Sequence, residues 1–507
     1  MKLFRHQIIA ADRASAAKRY GLFFDPGAGK TIASLEVVRR DPIKTLVVCP
    51  KSIMESAWCR DAATMGIPCT VLWGTAAKRK RLVESAWNLG VCTFEGFKAH
   101  AKEWKALGVQ RLIIDESSKI KAHDSQVSRA AHWVADGMAE VFLLSGTPAP
   151  NSPAEYWSQL RCLGVKFSGS SYWSFESKYT VPIKREIFAG GRMREVTVGH
   201  RQTEEQRAAL IALLDTCSWT LRKQDCIDLP EQTDHVVIFD LADDERKVYD
   251  AAAEALPFAL DASADEMVQF RADAALIKCR QITGGFVNVE SHARMVGASK
   301  REALIEQLDS LGSRPCIIWA EFTAEIDCIA EVCRARGETF AIIDGRTSHE
   351  AGSIAARFQR GEITRLVCHP QAAGHGITLT AASYAIYYSL GFSAENHKQS
   401  RDRIHRIGQV NRCTYIYLIA RDTVDIAALK VVQKKQKQSD EIKDALAARG
   451  AVGAGNIRDE KGPTCQPLCE TTSPPTPSPS SRQAILSRSD AFGAGVTLFR
   501  ITAKPTS

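Results

Sequence analysis

Three short stretches carry residue types at spacings suited to phosphate chemistry. In FFDPGAGKT, residues 23–31, Gly27 and Gly29, with Ala28 between them, let the backbone wrap closely around phosphate oxygens. Lys30 is long enough to reach terminal phosphates, and the Thr31 hydroxyl is placed to sit on Mg²⁺. The full G-x-x-x-x-G-K-[ST] pattern is not met, because Phe24 stands at its first glycine, and a turn between strand and helix would use the same glycines. In RLIIDESS, residues 111–118, Asp115 and Glu116 end an apolar run. There one carboxylate can hold Mg²⁺ through water while the other orients or deprotonates an attacking water. Adjacent acids also end strands for purely structural reasons, so this pair gains weight from following the glycine loop in chain order. In QSRDRIHRIGQ, residues 399–409, Arg403 and Arg406 lie three apart. If this stretch is helical they share a face that Arg401 does not, and form a fork matched to charge spread over a phosphoryl group in transit. A solvated basic face is the alternative reading.

The elements that would position these residues are visible as strand-length apolar runs followed by turns and helical patterns. They fall at 20–24, 45–50, 91–94, 111–115 and 141–146, and again at 316–322, 339–345, 365–370, 383–390 and 414–420. Such alternation predicts an α/β fold with two parallel-sheet lobes. Boundaries follow: a first, nucleotide-binding lobe at 1–154, a mostly helical insertion at 155–295, and a second lobe at 296–449. The insertion includes one hairpin, REIFAGGRMREV, turned by Gly190 and Gly191. Six prolines between 463 and 479 predict a disordered tail over 450–507.

Composition sets the outer limits. A chain of 507 residues has room for several domains. With 45% apolar and 24% charged residues and no apolar run of membrane-spanning length, it reads as an ordinary globular chain. The start MKLFRHQII lacks a secretory signal pattern, and a cytoplasmic location is expected. The fifteen cysteines, scattered through apolar runs, are expected to be reduced and mostly buried, with CQPLC at 465–469 as a minor metal-binding alternative. The net charge of +8 is a mild bias toward a polyanionic partner.

The ordered series LFRHQ, DPGAGKT, LVVCPKSIMESAW, DESSKIK, LLSGTPAPN, IIDGRT, AAGHGITLTAA and QSRDRIHRIGQ resembles the motif set of a superfamily-two helicase of the Swi/Snf type, over residues 1–425. The resemblance implies two RecA-like lobes, with ATP and Mg²⁺ bound between them. It implies that Gln7 reads adenine and that Lys30 and Thr31 bind phosphate and metal. Asp115 with Glu116 would supply metal coordination and hydrolysis, and Gly146 and Thr147 would link hydrolysis to lobe movement. Gly374, Gly376 and Thr378 would lie near nucleotide and DNA backbone, and Gln399, Arg403 and Arg406 would close the site from the second lobe as arginine fingers and their neighbour. Two departures stand out: DESS replaces the usual acidic, alanine and histidine ending, and FSAE at 392–395 replaces the usual tryptophan, asparagine and proline. The latter variant is similar to compact members found in phages and bacteria.

The expected activity is therefore an ATP-driven motor tracking double-stranded DNA through its phosphates, with single-stranded DNA or RNA as alternative partners. A strand-separating helicase, and a protein that binds nucleotide without turning it over, are the competing readings. Low aromatic content, 7%, weakly disfavours a stacking platform for single strands.

Overall fold

The computed structural model describes residues 3–166, 171–189, 192–226, 228–254, 266–289, 292–373, 377–452 and 496–500. The first half lays down β1 (Arg19–Phe24), β2 (Thr45–Val48), β3 (Cys69–Val71), β4 (Leu89–Cys92), β5 (Arg111–Asp115) and β6 (Glu140–Leu144). An antiparallel hairpin, β7 (Val181–Ala189) with β8 (Arg192–Arg201), follows, and then β9 (Ser218–Leu221). Seven of these form one parallel sheet in the order β3-β4-β2-β5-β6-β1-β9. β2, β5 and β6 are buried at every position because helices cover both faces, which is why their sequences are nearly continuous apolar runs.

The second sheet starts with β10 (Gln232–Phe239). A small hairpin, β11 (Phe286–Val289) and β12 (His292–Met295), precedes β13 (Cys316–Trp319), β14 (Phe340–Ile343), β15 (Arg365–Cys368), β16 (Tyr384–Tyr387), β17 (Cys413–Ala420) and β18 (Val496–Arg500). The order is β14-β15-β13-β16-β17-β10-β18, again all parallel. The two-lobe α/β architecture expected from the alternation is thus present.

The structure adds detail to three expectations. The stretch 155–295, expected as a helical insertion, also carries strands of both main sheets: β9 pairs with β1 in the first sheet, and β10 pairs with β17 in the second. The four-residue β9 directly follows the helix Glu204–Asp215, so its apolar residues merge into the helical periodicity. Within 450–507, the helix Val424–Val452 runs past residue 450, and β18 pairs with β10. The remainder of that segment, with CQPLC, lies outside the described residues, as do Gly190 and Gly191. Cys59 and Cys69 are joined in a disulfide, their Cα atoms 5.4 Å apart, because the segment Met54–Cys59 packs beside β3. The other described cysteines are free, and all but Cys226 are buried.

The helix Val424–Val452 belongs to both lobes. Leu429 and Val432 pack in the second sheet's core, whereas Ile442 and Leu446, three turns on, pack in the first sheet's core. One helix therefore spans the join and fixes how the lobes face each other.

A buried arginine opens the central strand of the first sheet. Arg111, with no exposed surface, donates to Glu140 at 2.6 Å, to the Asp41 carbonyl at 2.9 Å and to the Thr45 hydroxyl at 3.2 Å. Removing one partner of a buried ion pair strands the other's charge. Arg111→Ala is therefore expected to cost about 3–5 kcal/mol of stability, read by chemical denaturation; a loss below about 1 kcal/mol would show that Lys18, also on Glu140 at 2.6 Å, suffices.

Candidate active site

The glycine loop is built by a buried strand feeding a helix. β1 ends at Phe24, and the helix Lys30–Arg40 begins with Gly29 as its N-cap, at φ 78°. Glycine is needed there twice over: the backbone is left-handed, and an added Cβ would sit 2.1 Å from Gln7 Nε2. With no side chain capping the helix start, the first-turn amides of Lys30 and Thr31 are left for an anionic ligand. Gln7, on the helix Arg5–Ala17, is held beside the loop. Its Oε1 accepts from the Phe4 amide at 3.0 Å, and the neighbouring His6 ring lies 3.1 Å from the Ala28 carbonyl oxygen. Lys30 Nζ donates to the Phe24 carbonyl at 2.8 Å. Burial lowers the Lys30 pKa, while the charges of Glu116, Asp115 and Asp25 oppose that shift.

Asp115 and Glu116 sit at the carboxyl end of β5, the position at which open α/β sheets bind ligands. Asp115 is oriented by two donors: the Trp58 indole N–H on Oδ2 at 2.9 Å and the Glu116 amide on Oδ1 at 3.0 Å. Glu116 has φ 57° and ψ 56°, a left-handed conformation that a non-glycine residue keeps only when its surroundings impose it. Its carboxyl pKa is pushed up to about 7, first by burial and then by Asp115; Lys30 opposes, and Glu395 and Arg403 act from the second lobe. Burial likewise raises Asp115, against Lys30 and the two hydrogen bonds.

The second lobe reaches this site through one helix and the turn after it. The helix Ala394–Arg401 ends at Arg401, so Arg403 and Arg406 are placed by a turn, not by the helical face expected from sequence. Arg401 does point elsewhere: it donates to Asp234 at 2.5 Å and the Tyr417 hydroxyl at 2.8 Å, and lies 3.8 Å over the Tyr415 ring. Arg406 lies against the glycine loop, where a Cβ on Gly27 would come 3.2 Å from Arg406 Cγ. Arg403 is buried, donates to the Ile377 carbonyl at 3.2 Å, and has its pKa lowered to about 10 by burial and the neighbouring Arg406. Gln399 is buried on the helix itself. Gly374 and Gly376 lie outside the described residues.

Sequence reasoning missed the charged residues that hold this arrangement. Asp25, in the glycine loop, meets Lys398 at 3.2 Å, Lys443 at 3.7 Å and Arg222 at 3.8 Å. Burial opposes its ionisation, but these cations and Lys223 hold the Asp25 carboxyl well below the usual carboxylate range. Lys443, on the helix that spans both lobes, also donates to the Gly146 carbonyl, and an added Cβ on Gly146 would sit 2.8 Å from Pro26 of the loop. Lys223 binds Asp402, next to Arg403. Nothing in the local sequence around Lys443 marks it. Trp58 was visible only as part of the motif SIMESAW.

Residues 11–288 match the model of the SNF2-related domain, and residues 299–408 match the helicase conserved C-terminal domain. The chain belongs to the SNF2-related family. Among its relatives is a SWI/SNF-related matrix-associated actin-dependent regulator of chromatin subfamily A-like protein 1 homolog of Caenorhabditis elegans, 26% identical over 81% of this chain and 57% of that protein. Another is a putative ATP-dependent helicase/translocase of Bacillus subtilis, YwqA, 23% identical over 82% of this chain and 46% of that protein. The chain spans about half the length of the curated relatives it matches. Among solved structures, the Sulfolobus solfataricus SWI2/SNF2 ATPase core in complex with double-stranded DNA aligns over 89% of this chain and 95% of that chain, at 20% identity and a TM-score of 0.40. Among the described residues, no helix is long and apolar enough to cross a membrane.

Proposed function

We propose that the chain is an ATP-hydrolysing motor that moves along double-stranded DNA and remodels DNA or protein–DNA complexes. The observation that carries this reading is Arg406 of the second lobe packed on Gly27 of the first, beside a carboxylate pair at a strand end. Such a site is complete only when the lobes meet, so chemistry and lobe movement are linked.

ATP with Mg²⁺ fits the residues present. The uncapped helix start, the space that glycines alone leave at 27 and 29, and Lys30 together suit a polyphosphate; Thr31 and Asp115 suit its metal. Bound Mg²⁺ would neutralise charge developing on the phosphoryl oxygens. Glu116 accepts a proton from water, Asp115 is kept in orientation by Trp58, and Arg403 and Arg406 bring positive charge from the second lobe. Gln7 is assigned to the adenine. Gly146, against the loop at Pro26 and tied to Lys443, relays lobe movement together with Thr147.

Double-stranded DNA is favoured as the track by family membership, by the net charge of +8, and by the relative whose name includes translocase. Strand separation is the second reading, favoured by the hairpin of β7 and β8, which pairs with neither main sheet. One comparison separates them. A motor on duplex DNA displaces a triplex-forming third strand but does not release a Watson–Crick strand from a forked duplex. ATPase rates without nucleic acid, with duplex, with single strands and with RNA complete the test; efficient separation of the paired strands with no triplex displacement would overturn the duplex-tracking reading.

A further inference from the structure

The two departures from the family pattern, DESS and FSAE, lie in different lobes, and they touch. Ser118 Oγ donates to Glu395 Oε1 at 2.8 Å, and Lys121 Nζ lies 3.3 Å from Glu395 Oε2, so both carboxylate oxygens are engaged. The contact is sheltered: Ser118 is 1% exposed, and the side chain of Glu395 15%. Ser118 sits in the single turn Ser117–Ile120, which begins immediately after the left-handed backbone of Glu116. The other anchors of that turn lie within the first lobe: Ser117 Oγ donates to Gln159 at 2.7 Å, and Ser128 Oγ to the Ile120 carbonyl at 2.9 Å. Glu395 lies in the first turn of the helix Ala394–Arg401, whose Lys398 meets Asp25 and whose following turn delivers Arg406 to Gly27. The same short helix therefore holds the first lobe at both edges of the site.

We propose that Glu395 is a positioning residue for hydrolysis: by gripping Ser118 and Lys121 it sets the turn that aims Glu116, and does so only while the lobes are together. This rests on reading Glu116 as the hydrolytic base. A non-glycine residue in a left-handed conformation needs support from its neighbours, and part of the support of this turn comes from the opposite lobe. Parting of the lobes breaks both contacts and frees the turn. The two departures thus depend on each other: Ser118 without Glu395 would be a buried unpaired hydroxyl, and Glu395 without Ser118 and Lys121 would lose both partners.

The test uses the full chain at saturating duplex DNA. Glu395→Ala and Ser118→Ala are each expected to lower kcat roughly 10- to 100-fold, the cost of a misaimed catalytic group. The KM for ATP should stay within about twofold of the parent's, because the phosphate-binding residues are untouched. The double variant should be no slower than Glu395→Ala alone, since both changes remove one shared contact. Glu395→Gln keeps an acceptor for Ser118 and loses only the ion pair, so its rate should fall between those of Glu395→Ala and the parent. Parent-like kcat in Glu395→Ala, beside an inactive Glu116→Gln, would overturn the proposal, as would losses that multiply in the double variant. Parent-like turnover in Glu116→Gln would overturn the reading of the base itself, and this proposal with it. Should Glu395→Ala not fold, Ser118→Ala, which removes one hydroxyl, decides the question by the same kcat and KM readout.

Discussion

Arg406→Ala is expected to bind ATP and DNA about as well as the parent yet hydrolyse ATP on the order of 10³-fold more slowly or worse, the loss typical of a removed arginine finger. The expectation comes from placement. Arg406 reaches the phosphate loop from the other lobe, lying over Gly27, and its guanidinium is desolvated enough that burial lowers its pKa. A cation held so close to the loop acts most strongly where charge develops during phosphoryl transfer. Steady-state turnover and equilibrium binding of ATP, measured side by side, check it. Arg401→Ala is the internal control: that arginine holds Asp234, Tyr415 and Tyr417 within the second lobe, so its loss should lower thermal stability more than it lowers the rate of the folded protein. Equal turnover by the Arg406 variant and the parent would remove Arg406 from the site.

Glu116→Gln is expected to keep nucleotide binding and lose turnover by about 10²- to 10⁴-fold, because the amide preserves shape but cannot take a proton. Lys30→Ala, by contrast, should weaken nucleotide binding as well. The pH profile adds a second signature. Burial and Asp115 push the Glu116 pKa up to about 7, and a base works only when ionised, so the parent's turnover should fall as pH drops through about 7. The same shift has a sign for stability. A carboxyl whose folded pKa lies above its ordinary value of 4.5 favours the fold while protonated, and that contribution is lost as pH rises toward about 7. Above that range the Gln variant, which never ionises, should be at least as stable as the parent. A Gln variant both inactive and markedly less stable at pH 8 would point to a structural role for Glu116 instead.

The sequence by itself determined the two parallel-sheet lobes, since strands buried on both faces must be nearly continuous apolar runs and crossover helices must separate them. It also located the glycine loop, the adjacent carboxylates and the paired arginines, because each chemistry demands particular residue types within a few positions. The helix assumed for Arg403 and Arg406 stops at Arg401, and β9 was lost inside an apolar stretch that reads equally well as helix; both are short-range choices settled by packing. Tertiary structure alone decided which distant residues meet. Ser118 finds Glu395 across 277 positions, and Lys443 finds Gly146 across 297. Neither pairing has a local signal, because each depends on how the helix Val424–Val452 runs from the core of one lobe into the core of the other. Asp25 shows the same limit: as an isolated residue it is one more acid before a glycine, and only the convergence of Lys398, Lys443, Arg222 and Lys223 around it makes it the electrostatic centre of the join. Local sequence specifies what a residue is able to do, and the path of the chain between lobes specifies what it is able to reach.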